Sequence, residues 1–157
     1  MSPVRRALPE EAGEVLRLRQ VMIDSMSADG GGPTDWHADS LPVLRDRLAD
    51  PGGGFAAFVV DHPDRPAALA ALACGTVEYR IGRAGNPQGR VGHVFSVATD
   101  PGARRRGYAR ACVQELLEWF RAQGVRQVDL TASAQAESLY ASLGFVRKPD
   151  PAMRLSL

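Results

Sequence analysis

The longest regular stripe of apolar positions falls at Ala109, Cys112, Val113, Leu116, Leu117 and Phe120. Their spacing of i, i+3, i+4, i+7, i+8 and i+11 predicts an amphipathic helix with that face turned inward. Gly124 is its C-terminal stop. Just upstream, Val94 to Thr99 is rich in β-branched and aromatic types and runs into Asp100-Pro101-Gly102, so a buried strand meets a breaker. Strand, tight loop and helix therefore follow one another, and the remaining elements are arranged around them.

From the N-terminus, Val4 to Leu8 predicts a short strand, and Pro9-Glu10-Glu11 suits the opening turn of a helix, where acidic groups meet the positive end of the dipole. Val15, Leu18 and Met22 share one face of that helix, which fades near Ser25 to Ser27. Ala28 to Asp39 is loop-like, with Gly30-Gly31-Gly32-Pro33 ahead of Trp36 and His37. Leu41, Leu44 and Leu48 predict a second short helix, stopped by Asp50-Pro51-Gly52-Gly53-Gly54. Phe55 to Val60 reads as a short strand and Ala67 to Tyr79 as a longer one, although its alanines favour helix by propensity. The Gly-rich connection Gly82 to Gly92 makes Ala67 to Thr99 a hairpin with a long tip. After the central helix come a strand at Val125 to Thr131, a last helix at Ser133 to Leu143 closed by Gly144, and two short strands at Phe145 to Arg147 and Met153 to Leu157.

That order of strand, two helices, hairpin, helix, strand, helix and strands is a mixed α/β arrangement. A chain of 157 residues fits one domain spanning 1–157. Its formal net charge of +1 supports no bulk attraction to nucleic acid or an anionic membrane. The two cysteines, Cys74 and Cys112, sit in apolar surroundings without metal-ligand spacing and read as core packing. No apolar run approaches the ~20 residues of a bilayer span, and Met1 to Arg6 lacks the apolar stretch of a signal peptide. The expectation is a cytoplasmic protein that needs no metal.

Charge is concentrated locally instead, at Arg104, Arg105 and Arg106, just before Gly107 and the start of the central helix. A helix start presents unpaired amides and the positive end of the macrodipole, so a loop wrapping into it suits an anion such as a phosphate. Gly107 and Ala109 keep the approach open, and Arg110 follows one turn in. No Gly-Lys-Ser/Thr follows, and Gly-x-Gly-x-x-Gly is absent, so neither common nucleotide fingerprint applies. Arg104-Arg105-Arg106-Gly107-Tyr108-Ala109 resembles the Gln/Arg-x-x-Gly-x-Gly/Ala loop that holds the pyrophosphate of acetyl-coenzyme A in the GNAT N-acetyltransferase superfamily. Downstream, Ala136 to Phe145 is similar to the same family's Ala-x-x-Leu-Tyr-x-x-x-Gly-Phe segment, differing only in where the alanine falls.

The resemblance implies a GNAT-like fold: a central mixed, mostly antiparallel sheet, splayed between the fourth and fifth strands and flanked by helices. It implies transfer of an acetyl group from acetyl-CoA to a primary amine by direct attack in a ternary complex. The splayed strand would then offer free main-chain groups from Phe95 through Val97, Ala98 and Thr99, with the Val97 amide as oxyanion donor. Arg104, Arg105, Arg106, Gly107, Tyr108, Ala109 and Arg110 would hold the cofactor, joined by Ser133, where the family often has an asparagine, and by Tyr140. Ser133 reads equally as a helix cap. Tyr140, protonated as an ordinary phenol of pKa ~10, matches the family tyrosine that serves as general acid; its other reading is an aromatic anchor for the last helix.

Two base candidates stand open. His93 occupies the place where several family members carry a glutamate, and a histidine of pKa ~6.5 suits the task; a histidine at a strand edge is also simply structural. Glu78 on the paired strand is the second, with a solvated strand position as its alternative. For the acceptor, a small-molecule or peptide amine, the family's usual places correspond to Met22, Ser25, Met26, Trp36 and His37, with Tyr79 and Arg80 opposite. Trp36 in its Gly/Pro-rich loop would cover a substrate or pack the loop down. The rival reading is a noncatalytic acyl-CoA-binding or sensing domain. A nucleic-acid patch at the three arginines lacks interleaved aromatics, and dimers are common among the proteins this one resembles.

Overall fold

The structure, a computed structural model, describes residues 3–157. In chain order it runs β1 (Val4–Arg6), a 3-10 turn at Pro9–Glu11, α1 (Ala12–Ser25), α2 (His37–Leu48), β2 (Phe55–Asp61), β3 (Leu69–Tyr79), β4 (Arg90–Thr99), a second 3-10 turn at Pro101–Ala103, α3 (Tyr108–Ala122), β5 (Val128–Leu130) and α4 (Glu137–Ser142). The strands form one sheet in the order β1-β2-β3-β4-β5. Neighbours are antiparallel except β4 and β5, which run parallel. This is the mixed, mostly antiparallel sheet that the family resemblance implied.

Alternation along β2 sorts its side chains between two helical layers. Ala56, Phe58 and Val60 pack with Cys112, Val113, Leu116 and Phe120 of α3, while Phe55, Ala57 and Val59 pack with Val15 and Leu18 of α1. The same burial on both faces explains why alanine-rich β3 is a strand: Ala70, Ala71 and Ala73 lie beneath helices and are small enough to let them approach. Tertiary packing here overrides helix propensity.

Two strand glycines set how close α3 comes. A Cβ added at Gly75 would stand 2.7 Å from Phe120 Cζ, and one at Gly92 would meet three Phe120 ring atoms at 2.8–3.1 Å. Phe120 is fully buried, so its ring has nowhere to turn. Gly92→Ala is accordingly expected to destabilise the fold by about 2 kcal/mol and to lower Tm by roughly 6 °C. Differential scanning calorimetry checks this, and an unchanged Tm would show that α3 shifts freely.

Several boundaries differ from expectation. β4 begins at Arg90, because Arg90–His93 already pair with Thr76–Tyr79; the Gly-rich tip is the shorter 80–89 turn, closed by Arg80 N–H to Gly89 O at 2.7 Å. β5 is only Val128–Leu130, since Val125 is drawn into the core directly after Gly124. α4 starts at Glu137, the Ser133 hydroxyl accepting the Ala136 N–H in a preceding turn. The two strands expected at Phe145–Arg147 and Met153–Leu157 do not form. Val146, Met153, Leu155 and Leu157 are exposed with no strand beside them, and Pro149 and Pro151 supply no amide for a ladder. Among the described residues no helix is long and apolar enough to cross a membrane.

Candidate functional site

The site starts from a defect in β4. Leu72 pairs with Ala98 and Cys74 with Phe95, so Ser96 and Val97 together face the single residue Ala73. This bulge places Ser96 at φ 53°. Arg19 of α1 donates to the buried Ser96 hydroxyl and pins it there. On its other side β4 pairs with β5 only at Gly92, His93 and Val94. Beyond Val94 the two strands part, as expected for a sheet splayed at this point.

A cleft of about 360 Å³ opens in the gap. Val97, Ala98 and Thr99 form one wall, Arg104 and Ala109 its mouth, and Ser133 and Tyr140 the opposite wall with Gln135, Ala136 and Leu139. Val21, Met22 and Ser25 close the cleft on the side of α1. At the mouth, Arg105 (φ 64°) and Gly107 (φ 77°) are both left-handed, so successive amides turn toward the start of α3. A Cβ added at Gly107 meets nothing within 4 Å, and Arg104, Arg105 and Arg106 are exposed around it. An unfilled, amide-lined and cationic mouth fits a pyrophosphate.

Tyr140 is buried, edge-on to Phe145 with ring centroids 5.8 Å apart. Burial raises its phenol above the ordinary 10, so it stays protonated. Its hydroxyl hydrogen-bonds no protein group among the described residues, although its ring anchors α4. Arg110 reaches Ser142 of α4, and Tyr108 packs against the α3 core, so both support the mouth from behind. The buried thiols of Cys74 and Cys112 are pushed up to about 12 by desolvation and are inert packing groups.

Just ahead of the mouth, Asp100 is a buried junction. It accepts from Arg17 (2.7 Å), Arg65 (2.6 Å), the Gly102 amide (3.0 Å) and His62 Nε2 (3.3 Å). The Asp64 amide donates to His62 Nδ1 at 3.1 Å, which leaves the proton of the neutral ring on Nε2, facing Asp100. Burial alone would raise the Asp100 carboxyl; the Arg17 and Gly102 hydrogen bonds and the charges of Arg17 and Arg65 outweigh it and hold it at about 2, against an ordinary 3.8. Because the folded value is the lower one, this stabilisation is present above pH ~4 and is lost as pH falls through ~2. Unfolding free energy is therefore expected to drop by about 2 kcal/mol from this group between pH 5 and pH 2. Urea titrations across that range check it, with Asp100→Asn giving a shallower fall.

The structure does not bring every candidate into the cleft. His93 is exposed on the α1 side of the sheet, in register with Thr76 and Asp129, its ring stacked 6.4 Å from Phe95. Phe95 itself packs into the α1 core. Glu78 is tied to Arg80 at 2.7 Å, and Tyr79 stands 71% exposed beside it. Met26 lies exposed beyond α1. Trp36 gives its indole N–H to Pro33 O at 2.9 Å, while His37 contacts Gln20, so both fix the start of α2 to α1 and do not line the cleft. Of the acceptor candidates, Met22 and Ser25 reach it.

Sequence reasoning missed Val21, Gln135 and Leu139 as cleft residues, the Arg19–Ser96 contact, and the contacts that His62 and Arg65 make with Asp100. Ser25 follows Met22 and Val21 at i+3 and i+4, extending the face of α1 that carries Leu18, a signal present in the sequence.

Comparison with known proteins bears on the same residues. The sequence model of a family described as the acetyltransferase (GNAT) family matches residues 18–145. Glucosamine 6-phosphate N-acetyltransferase 1 of Oryza sativa subsp. japonica is 30% identical over 142 residues, covering 87% of this chain and 84% of that protein. A predicted acetyltransferase of Clostridium acetobutylicum, crystallised with acetyl-CoA, superposes with a TM-score of 0.78 at 17% identity over 98% of this chain and 94% of that one. Glucosamine-6-phosphate N-acetyltransferase of Arabidopsis thaliana gives a TM-score of 0.75 at 15% identity, over 97% and 96% of the two chains.

Proposed function

The chain belongs to the GNAT family of acetyltransferases, and from that premise we propose that it moves the acetyl group of acetyl-CoA directly to a primary amine bound in the same complex. The observation that carries this reading is the parting of β4 and β5 beyond Val94, where one cleft joins the Val97 bulge, the Arg104–Ala109 mouth and Tyr140. Acetyl-CoA supplies an activated thioester. The amides and arginines of the mouth would bind its pyrophosphate, with Ser133 and Gln135 beside the arm that follows. The Val97 amide, at the bulge, is the donor for the carbonyl oxygen as negative charge builds there. Tyr140 holds the proton that the departing sulfur needs.

The amine must lose a proton to attack, and His93 is the residue we assign to receive it, through water across the open sheet face. Asp129 stands beside it in register and Glu78 two pairs along, each with a basic partner, Lys148 at 4.0 Å and Arg80 at 2.7 Å. Relatives named for glucosamine 6-phosphate make amino sugars the first acceptors to test. A noncatalytic acyl-CoA-binding role is the second reading, favoured by one observation: His93 and Glu78 stand outside the cleft lining.

Calorimetric titration with acetyl-CoA, followed by an amine screen that follows free thiol release, separates the readings. Saturable binding with amine-dependent thiol release is the expected result. Binding without turnover on any amine favours the sensing domain, and no binding at all removes both.

A further inference from the structure

We propose that Asp100 is the positioning residue of the cofactor mouth, and that Arg65 acts on the bound coenzyme only through it. The inference rests on the reading of the mouth as a coenzyme site. Arg65 lies in the β2–β3 turn, close to a loop of three arginines, and its charge alone would suggest a phosphate ligand. Its hydrogen bonding says otherwise. Arg65 Nη2 is committed to Asp100 Oδ1 at 2.6 Å. Arg17 is committed more fully, to Asp100 at 2.7 Å, Glu14 at 2.7 Å and the Leu69 carbonyl at 2.9 Å. Arg104 and Arg105, by contrast, carry no ion pair among the described residues and remain available to a ligand.

Asp100 is held at every polar group it has. Its amide donates to Ala70 O at 2.7 Å and its carbonyl accepts from Ala103 N–H at 2.9 Å. Oδ1 takes the two arginines; Oδ2 takes Gly102 N–H and His62 Nε2. One side chain, 7% exposed, thereby ties β3, α1 and the β2–β3 turn to the first residues of the loop. A second tether joins the same turn to the loop, Asp64 to Arg106 at 3.8 Å. Arg17 and Arg65 are balanced by Asp100 and Glu14, so with His62 neutral the cluster offers a phosphate no net charge. What it offers is a loop already aimed, which spares the ligand the entropy of ordering it.

A double-mutant cycle on the full chain, read by calorimetric titration with acetyl-CoA, tests this. Asp100→Asn and Arg65→Met are each expected to weaken binding about tenfold, the scale of one charge-assisted hydrogen bond. The double variant should bind no more weakly than Asp100→Asn alone. Arg65 is half exposed, so Arg65→Met should melt near the wild type, and Arg65→Lys should recover part of the lost affinity. A merely structural contact would lower Tm and leave the affinity of the folded fraction unchanged.

Additive losses of about a hundredfold in the double variant would place Arg65 directly on the coenzyme and overturn the proposal. So would wild-type affinity in either single variant. If Asp100→Asn does not fold, the salt dependence of acetyl-CoA binding by Arg65→Met decides: a dependence equal to that of the wild type supports action through Asp100, and a weaker one, the mark of a lost direct contact with a phosphate, refutes it. Failure of the wild type to bind acetyl-CoA is a different result, which removes the coenzyme reading itself.

Discussion

Gly107→Glu should abolish saturable acetyl-CoA binding, a loss of at least about a hundredfold, while leaving a folded protein. Gly107 caps α3 in the left-handed region at φ 77°, where any residue with a Cβ is strained by about 1 kcal/mol. That strain is too small to unfold the domain. The space above Gly107 is empty to 4 Å, so the fold makes room for a side chain but a bound pyrophosphate does not. Glutamate also adds negative charge at the helix end that the phosphates would occupy, reversing the attraction between them and the dipole. Gly107→Ala separates these effects, because it brings the strain and the smallest obstruction without the charge, and should cost about tenfold. Arg106→Ala should fall near that value, since it removes one exposed cation already leaning on Asp64. Calorimetric titration gives the affinities and far-UV circular dichroism the fold. Wild-type affinity in Gly107→Glu would move the coenzyme away from this loop.

The mouth was legible because its chemistry is local. Gly107, the arginines and the stripe from Ala109 to Phe120 are contiguous, and a loop entering a helix start needs no tertiary information to be recognised as an anion site. The cleft was partly legible for a different reason: Val97, Ala98, Thr99 and Tyr140 sit on segments whose resemblance to the GNAT family implied that they meet. The sheet bulge was not visible, since Ser96 at φ 53° follows from pairing with β3 and from Arg19, which lies 77 positions away. Nor was the Asp100 junction, for Arg17, His62 and Arg65 are ordinary surface types until the β2–β3 turn folds beside the loop. The C-terminal strands misled in the opposite direction. Phe145 to Arg147 and Met153 to Leu157 have strand composition, but a strand exists only beside a partner, and none is placed there.

Tyr140→Phe is expected to lower kcat about a hundredfold, with KM for acetyl-CoA nearly unchanged. Phenylalanine is the informative replacement because the ring has a structural duty of its own: it packs α4 and meets Phe145 edge-on at 5.8 Å. Removing only the hydroxyl keeps that contact, so retained activity would reduce Tyr140 to an anchor. The hydroxyl has no protein partner among the described residues, and burial raises its pKa, which keeps the proton in place through neutral and mildly alkaline pH. An acid of that kind gives no falling limb in the neutral range. A rising limb must then come from the group that frees the amine, and His93→Ala is expected to remove it from the pH profile of kcat/KM. If the limb survives in His93→Ala and disappears in Glu78→Gln, the proton leaves by the β3 carboxylate instead. If both variants keep it, the amine itself titrates, and Tyr140 is left as the one side chain of the cleft with an acid–base duty.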